Sequence, residues 1–143
     1  MRFAIREAEK AFELDEVPIG CVIVRDNVIV GRGHNQTEQL SDSTAHAEMI
    51  AITAASATIE SRFLTGCTMY VTLEPCPMCA GALVNSRVER LIFGAYDPKA
   101  GACGTLYTLT EDDRLNHRIN TMGGILDAEC GGILKEYFKK KRK

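Results

Sequence analysis

Two hydrophobic rhythms alternate along the chain. Over residues 3–14 the apolar positions Phe3, Ala4, Ala8, Ala11 and Phe12 recur at helical spacing with charges between them. That pattern predicts an amphipathic helix with one buried stripe. Asp15-Glu16-Val17-Pro18 closes it, because the residue before a proline is pushed out of the helical region. Ile19-Gly20-Cys21-Val22-Ile23-Val24 reads as a buried strand and Val28-Ile29-Val30-Gly31 as its partner, with Arg25-Asp26-Asn27 as the hairpin link. A polar loop follows over 36–43, and Ser43 or Thr44 stands where it would cap the next helix. The body of that helix, 47–57, carries Met49, Ile50, Ile52 and Ala55.

Thr68-Met69-Tyr70-Val71-Thr72-Leu73 is the third strand and runs directly into Glu74-Pro75-Cys76. Pro75 stands where helices begin, and a helix through 80–84 follows, then a fourth strand over 88–95. A glycine-punctuated loop spans 97–104, and a short strand is expected at 119–121. Asp127 is expected to cap a last helix with Cys130, Ile133, Leu134, Tyr137 and Phe138 as its apolar stripe. Gly131-Gly132 inside that helix costs roughly 1 kcal/mol per glycine against alanine, so packing must hold it. The alternation predicts an α/β sandwich whose later strands are parallel. In such sheets sites form at strand C-terminal ends, where helix N-termini converge.

Composition narrows the class. The 143 residues suit one domain, and neither an internal repeat nor a linker divides 1–143. With 45% hydrophobic and 25% charged residues the chain is an ordinary soluble globular sequence. No apolar run approaches the roughly 20 residues that a membrane helix needs. The first residues, Met1-Arg2-Phe3-Ala4-Ile5-Arg6-Glu7, mix acidic and basic groups and lack a signal-peptide core, so a cytoplasmic protein without a membrane partner is expected. In a reducing compartment the six cysteines do not form a disulfide framework. Cys21 and Cys67 sit in apolar runs as small buried hydrophobes, whereas Cys103 and Cys130 have no role legible in the sequence. Net charge is −2, but Lys139-Lys140-Lys141-Arg142-Lys143 holds five of the 17 basic residues, leaving 12 against 19 acidic ones. Such a run is a solvated tail or a source of non-specific phosphate attraction.

The chemistry concentrates in Thr44-Ala45-His46-Ala47-Glu48 and Glu74-Pro75-Cys76-Pro77-Met78-Cys79. Two cysteines three apart on the opening turn of a helix share a face, so both sulfurs can reach one ion. His46 adds a third ligand. Closed structural zinc sites take four protein ligands, while catalytic ones keep the fourth position open. Glu48 is not needed to complete the set and is free to move protons. Within a regular helix i and i+2 point to nearly opposite sides, so His46 and Glu48 serve one site only if it lies beyond the helix N-terminus. The rival reading is a non-catalytic zinc-stabilised module, which needs a fourth ligand from His34, His117 or Cys103. Blander readings stand beside each assignment: a core histidine at 46, an ordinary helix-terminal carboxylate at 48.

His-x-Glu with Pro-Cys-x-x-Cys resembles the signature of zinc-dependent nucleobase deaminases. Glu16-Val17-Pro18-Ile19-Gly20, His34-Asn35, the stretch from Leu73 through the two cysteines to Ala80-Gly81-Ala82, and Phe93-Gly94-Ala95-Tyr96-Asp97-Pro98-Lys99 are similar to the bacterial tRNA-specific adenosine deaminase family. Asn116-His117-Arg118, Gly124-Ile125-Leu126 and Glu129-Cys130 carry the likeness through the C-terminal part. Tyr96 departs from it where arginine is common, and Gly131-Gly132 where alanines are usual.

The resemblance implies a cytidine-deaminase-like fold, a three-layer α-β-α sandwich on a mixed five-stranded sheet. It implies one Zn²⁺ per chain on His46, Cys76 and Cys79, and hydrolysis of adenosine to inosine at the wobble position of a tRNA anticodon stem-loop. Glu48 would shuttle the proton of a zinc-activated water. Asn35 would bond the flipped base, Val17, Ala47 and Leu73 would wall the pocket, Asp97 would meet the neighbouring sugar-phosphate and Lys99 a phosphate. Asn35 could instead hold a turn, and Asp97 could cap one. A homodimer is also implied. The zinc motif is shared with guanine and cytidine or deoxycytidylate deaminases, so a small-molecule deaminase is the alternative.

Overall fold

The computed structural model describes residues 1–142, so of the basic run 139–143 only Lys143 lies outside the described residues. In order the elements are α1 (Arg2–Glu13), β1 (Gly20–Arg25), β2 (Val28–His34), α2 (Ala47–Ile59), β3 (Thr68–Leu73), α3 (Pro77–Asn85), β4 (Arg90–Ala95), a 3₁₀ turn (Leu109–Glu111), β5 (Asn120–Met122) and α4 (Asp127–Lys141). The five strands form one sheet in the order β2-β1-β3-β4-β5. The β1 strand pairs antiparallel with both β2 and β3, while β3, β4 and β5 run parallel. The expected mixed five-stranded sheet and α-β-α layering are therefore both present.

Alternation along the strands sorts the layers. Cys21, Ile23, Met69, Val71, Leu91 and Phe93 point to one face and pack with Ala47, Ala51, Ala55, Ala80 and Leu83 of α2 and α3. The opposite face carries Gly20 against Ala4 and Ala8 of α1, and Gly94 against Cys130 of α4. Truncating a buried side chain such as Phe93, which is 1% exposed, to alanine is expected to cost about 3–5 kcal/mol. Cys21 and Cys67 are buried free thiols, as expected, and so are Cys103 and Cys130.

Close approach of helix to sheet depends on glycine at two positions of β2. A Cβ on Gly31 would lie 2.5 Å from the Ala51 carbonyl oxygen, and one on Gly33 would lie 2.3 Å from that of Ala47. Thus α2 lies with its backbone directly against β2.

Several local expectations are corrected. The hairpin link is two residues, Asp26 and Asn27, both with positive φ (52° and 63°), which is the type I′ turn matched to strand twist. β2 continues to His34, β4 starts at Arg90, and β5 is shifted by one residue to Asn120–Met122. Neither Ser43 nor Thr44 caps α2; His46 does, in extended conformation. Pro77, not Pro75, opens α3, and Asp127 is the first residue of α4 behind a left-handed Leu126. The apolar stripe of α4 is narrower than expected: Cys130 and Tyr137 are buried, but Phe138 is exposed. Among the described residues no helix is long and apolar enough to cross a membrane.

Candidate metal centre

The site forms where β3 and β4 end. Leu73 is paired with Ala95, and the Glu74 N–H donates to the Ala95 carbonyl at 2.9 Å, so the chain leaves the sheet in a fixed direction. Cys76 is then the extended N-cap of α3 (φ −74°, ψ 173°), Pro77 follows inside the first turn, and Cys79 completes it. The Ala80 N–H donates to the Cys76 carbonyl at 2.8 Å, closing that turn and bringing both sulfurs to one side.

On α2 the N-cap is His46 (φ −74°, ψ 153°), held by its N–H to the Thr44 carbonyl at 2.8 Å. Because His46 is outside the helix and Glu48 inside its first turn, the i/i+2 conflict disappears. Both side chains face the space beyond the helix end.

His46 Nδ1 is 3.6 Å from Cys76 Sγ and 3.5 Å from Cys79 Sγ. Zinc bonds of about 2.3 Å to sulfur and about 2.0–2.1 Å to nitrogen, set at tetrahedral angles, separate S and N by about 3.5–3.6 Å. The ligand atoms of all three residues lie within 4.8 Å of one another, the single such cluster among the described residues. The donor set fits a zinc ion in chemistry and spacing.

None of the candidates for a fourth ligand joins this cluster, although His34 Nε2 is buried without a hydrogen-bond partner. Cys103 Sγ faces the Pro75 carbonyl at 3.9 Å, His117 Nε2 the Val88 carbonyl at 2.7 Å, and His34 Nδ1 the Glu7 carboxylate at 3.7 Å. The cluster therefore has the three-donor form of an open site.

Electrostatics mark the same point. A hydrogen bond from the Cys79 thiol, opposed by burial and aided by His46, holds the Cys76 thiol down at about 4. Sharing that proton with Cys76, together with burial, pushes Cys79 well above the ordinary thiol range. The Cys76 bond also raises His46. Burial pushes Glu48 up to about 7, against the pull of its own N–H, with the Cys76 thiolate raising it further. Glu48 is 4% exposed and its Oε1 has no hydrogen-bond partner. A buried carboxylate oxygen left unpaired is costly, and such groups concentrate where chemistry needs them.

The remaining predicted residues differ in burial and in the local bonds they make. Asn35 is buried, with its backbone N–H on the Ile19 carbonyl at 3.1 Å. Val17 and Leu73 are half-buried, while Ala47 is completely covered beneath β2. Asp97 Oδ1 accepts the N–H groups of Lys99 (3.0 Å) and Ala100 (3.3 Å), so it does close a turn; Lys99 is exposed.

Two residues had no role assigned from sequence. Glu16 and Glu74, each 1% exposed, are buried carboxylates satisfied by backbone N–H groups of distant loops. The available signal was an acidic residue one position before Val17 and another two before Cys76.

Comparison with known proteins agrees with this geometry. The MafB19-like deaminase family matches residues 1–142. The tRNA-specific adenosine deaminase of Bacillus subtilis (strain 168) is 51% identical over 143 residues, spanning 100% of this chain and 89% of that protein. A structure from work on A-to-I editing by tRNA:A34 deaminases at the wobble position of transfer RNA superposes with a TM-score of 0.90 at 41% identity, covering 94% of this chain and 97% of that one. Guanine deaminase from Nitrosomonas europaea shares the fold alone, with a TM-score of 0.83 at 20% identity over 95% of this chain and 81% of that one. The chain belongs to the MafB19-like deaminase family and, within it, to the tRNA-specific adenosine deaminases.

Proposed function

We propose that this protein hydrolyses adenosine to inosine at the wobble position of a tRNA anticodon, with residues 1–143 acting as one deaminase unit. The observation that carries the reading is the buried, unpartnered Oε1 of Glu48 beside a three-donor cluster. His46, Cys76 and Cys79 would hold one zinc ion. When bound, zinc acts as a Lewis acid that brings the pKa of a coordinated water from about 15.7 toward about 7.

Glu48 does the proton work. Its carboxylate takes one proton of the attacking water as oxygen bonds to adenine C6 and delivers it to ring N1; it then carries the hydroxyl proton to the exocyclic nitrogen, whose bond to C6 breaks as ammonia leaves. The water oxygen remains as O6 of inosine, so the hydrolysis balances. A carboxyl raised to about 7 suits a group that must accept and return a proton near neutral pH. Asn35 would hydrogen-bond the flipped base, Val17, Ala47 and Leu73 would wall its pocket, and Asp97 and Lys99 would meet the flanking sugar and phosphate. An adenine in a single-stranded loop is cheap to extrude, which suits an anticodon.

The protein would act in the cytoplasm as a homodimer. Support for the dimer comes from α2, where Met49, Ile50 and Ala54 are only half-buried and no charge lies between Glu48 and Glu60. A half-covered apolar flank without charges suits contact with a second copy of the chain.

The test is to incubate the zinc-loaded protein with an anticodon stem-loop carrying a wobble adenosine. Inosine is expected, with no turnover of free guanine or cytidine. Turnover of either free compound without inosine in the RNA would replace this reading by a small-molecule deaminase.

A further inference from the structure

Glu74 lies at the end of β3, two residues before Cys76, and is 1% exposed. Among the described residues no cation comes within salt-bridge distance of it. Its charge is instead gathered by one loop. Oε1 accepts the Asp97 N–H at 3.0 Å and the Thr105 hydroxyl, and Oε2 accepts the N–H groups of Cys103 (3.1 Å) and Thr105 (3.0 Å). Gly101 lets the loop lie against the carboxylate, since a Cβ there would meet Glu74 Oε1 at 2.4 Å. The same loop also straps the ligand turn: the Ala102 N–H donates to the Pro75 carbonyl at 2.9 Å.

The opposite rim repeats the device. Glu16, next to Val17, accepts the N–H groups of Glu38 at 3.1 Å and Gln39 at 2.6 Å, tying down the loop that leads to His46. Both carboxylates thus spend their hydrogen-bonding capacity on loops 22 to 31 residues further along the chain.

We infer that Glu74 is a positioning residue for substrate: it fixes the 97–105 loop, and with it Asp97 and Lys99, relative to the Cys76–Cys79 turn. The inference rests on the proposed role of that loop in holding RNA. The chemistry requires a carboxylate. Each oxygen faces at least one backbone N–H, so an amide in either orientation would set its NH₂ against a donor. Glu74→Gln keeps the shape and removes the ability to gather the loop. A group that only stabilised the fold would not single out substrate affinity, whereas a loop anchor must.

The experiment compares zinc-loaded wild type, Glu74→Gln, Thr105→Val and the double variant on an anticodon stem-loop with a wobble adenosine. Amide hydrogen exchange on the same proteins is measured without RNA. For Glu74→Gln, KM is expected to rise about tenfold with kcat within about twofold and zinc near one per chain. The amides of Asp97, Cys103 and Thr105 should exchange at least about tenfold faster while those of 69–72 are unchanged. Thr105→Val removes only the hydroxyl, should raise KM about two- to threefold, and should add little on top of Glu74→Gln. Should Glu74→Gln fail to fold, Thr105→Val carries both readouts alone.

Unchanged exchange at those amides overturns the inference. So does an unchanged KM, or a lost zinc ion with kcat reduced and KM unmoved. If wild type does not edit the RNA at all, the functional reading fails, and the exchange measurement still decides whether Glu74 anchors the loop.

Discussion

Helices α1 and α2 press on opposite faces of the sheet, each with an inner stripe of three alanines at helical spacing: Ala4, Ala8 and Ala11 on one, Ala47, Ala51 and Ala55 on the other. Each also buries a glutamate, and there the likeness ends. Glu7 on α1 is paired with the Lys10 ammonium at 2.6 Å and lies 3.7 Å from His34. Glu48 on α2 leaves one oxygen without any partner. Outward, α1 presents Arg6, Glu9, Lys10 and Glu13 to water, while α2 carries no charge beyond Glu48 and leaves Met49, Ile50 and Ala54 half-buried. A satisfied carboxylate and a charged outer face describe a helix that finishes the fold. An unsatisfied carboxylate and an uncharged, half-buried flank describe a helix of the other kind, which the proposed chemistry and dimer would put to use.

The sharpest way to break this contrast is to exchange the two carboxylates for neutral groups. Glu48→Ala should lower kcat by about 10²–10⁴ with zinc still near one per chain, as removal of a general acid–base does. Glu7→Gln should leave kcat within about twofold and cost about 1–3 kcal/mol in denaturant unfolding, the penalty of disturbing a buried charged hydrogen bond. A Glu7 variant as inactive as Glu48→Ala would erase the distinction.

Metal removal tests the ligand turn. The half-buried Cys76, held down at about 4, is thiolate at neutral pH in the metal-free chain. A maleimide should therefore modify Cys76 first once zinc is chelated, and modify it at least about tenfold more slowly when zinc is present. Burial pushes the Cys103 thiol up to about 12 and the Cys130 thiol up to about 11, so both should stay unmodified while the fold persists. Mass spectrometry of the labelled peptides reads this directly.

The outer faces give the next contrast. If the proposed dimer forms through the α2 flank, Ile50→Asp should weaken self-association by about tenfold or more in sedimentation, because an unpaired charge would be buried there. Glu9→Ala on α1 should leave the sedimentation profile as in wild type. The smallest effect is expected far from both faces. A Cβ on Gly132 meets nothing within 4 Å inside α4, so Gly132→Ala should raise stability by about 1 kcal/mol, read as a few degrees in Tm.

Which parts were legible in the sequence follows from how local their causes are. Strand and helix order, and the trio of His46, Cys76 and Cys79, are written in short spacings, and they appear in the structure close to where periodicity puts them. Helix starts were less legible. Ser43 and Thr44 are good cap chemistry, yet His46 has to stand outside the helix to share a space with Glu48, and that demand sets the boundary. The apolar run on α4 predicts one buried stripe, but only Cys130 and Tyr137 are fully covered; Ile133 and Leu134 are half-buried and Phe138 is exposed. Glu16 and Glu74 were opaque for a different reason. Their partners are backbone groups of loops that return from elsewhere in the chain, and no pattern of residue types announces that.

The two glycines of β2 reach further than packing. With Ala47 and Ala51 seated on bare backbone at Gly33 and Gly31, the helix axis has no slack toward the sheet. A methyl at Gly33 would press on the Ala47 carbonyl, one residue from His46 and Glu48, while one at Gly31 would press further along the helix at Ala51 and Ala55. Proton-transfer precision here is thus set by two missing side chains on the neighbouring strand, and not by the reacting groups alone.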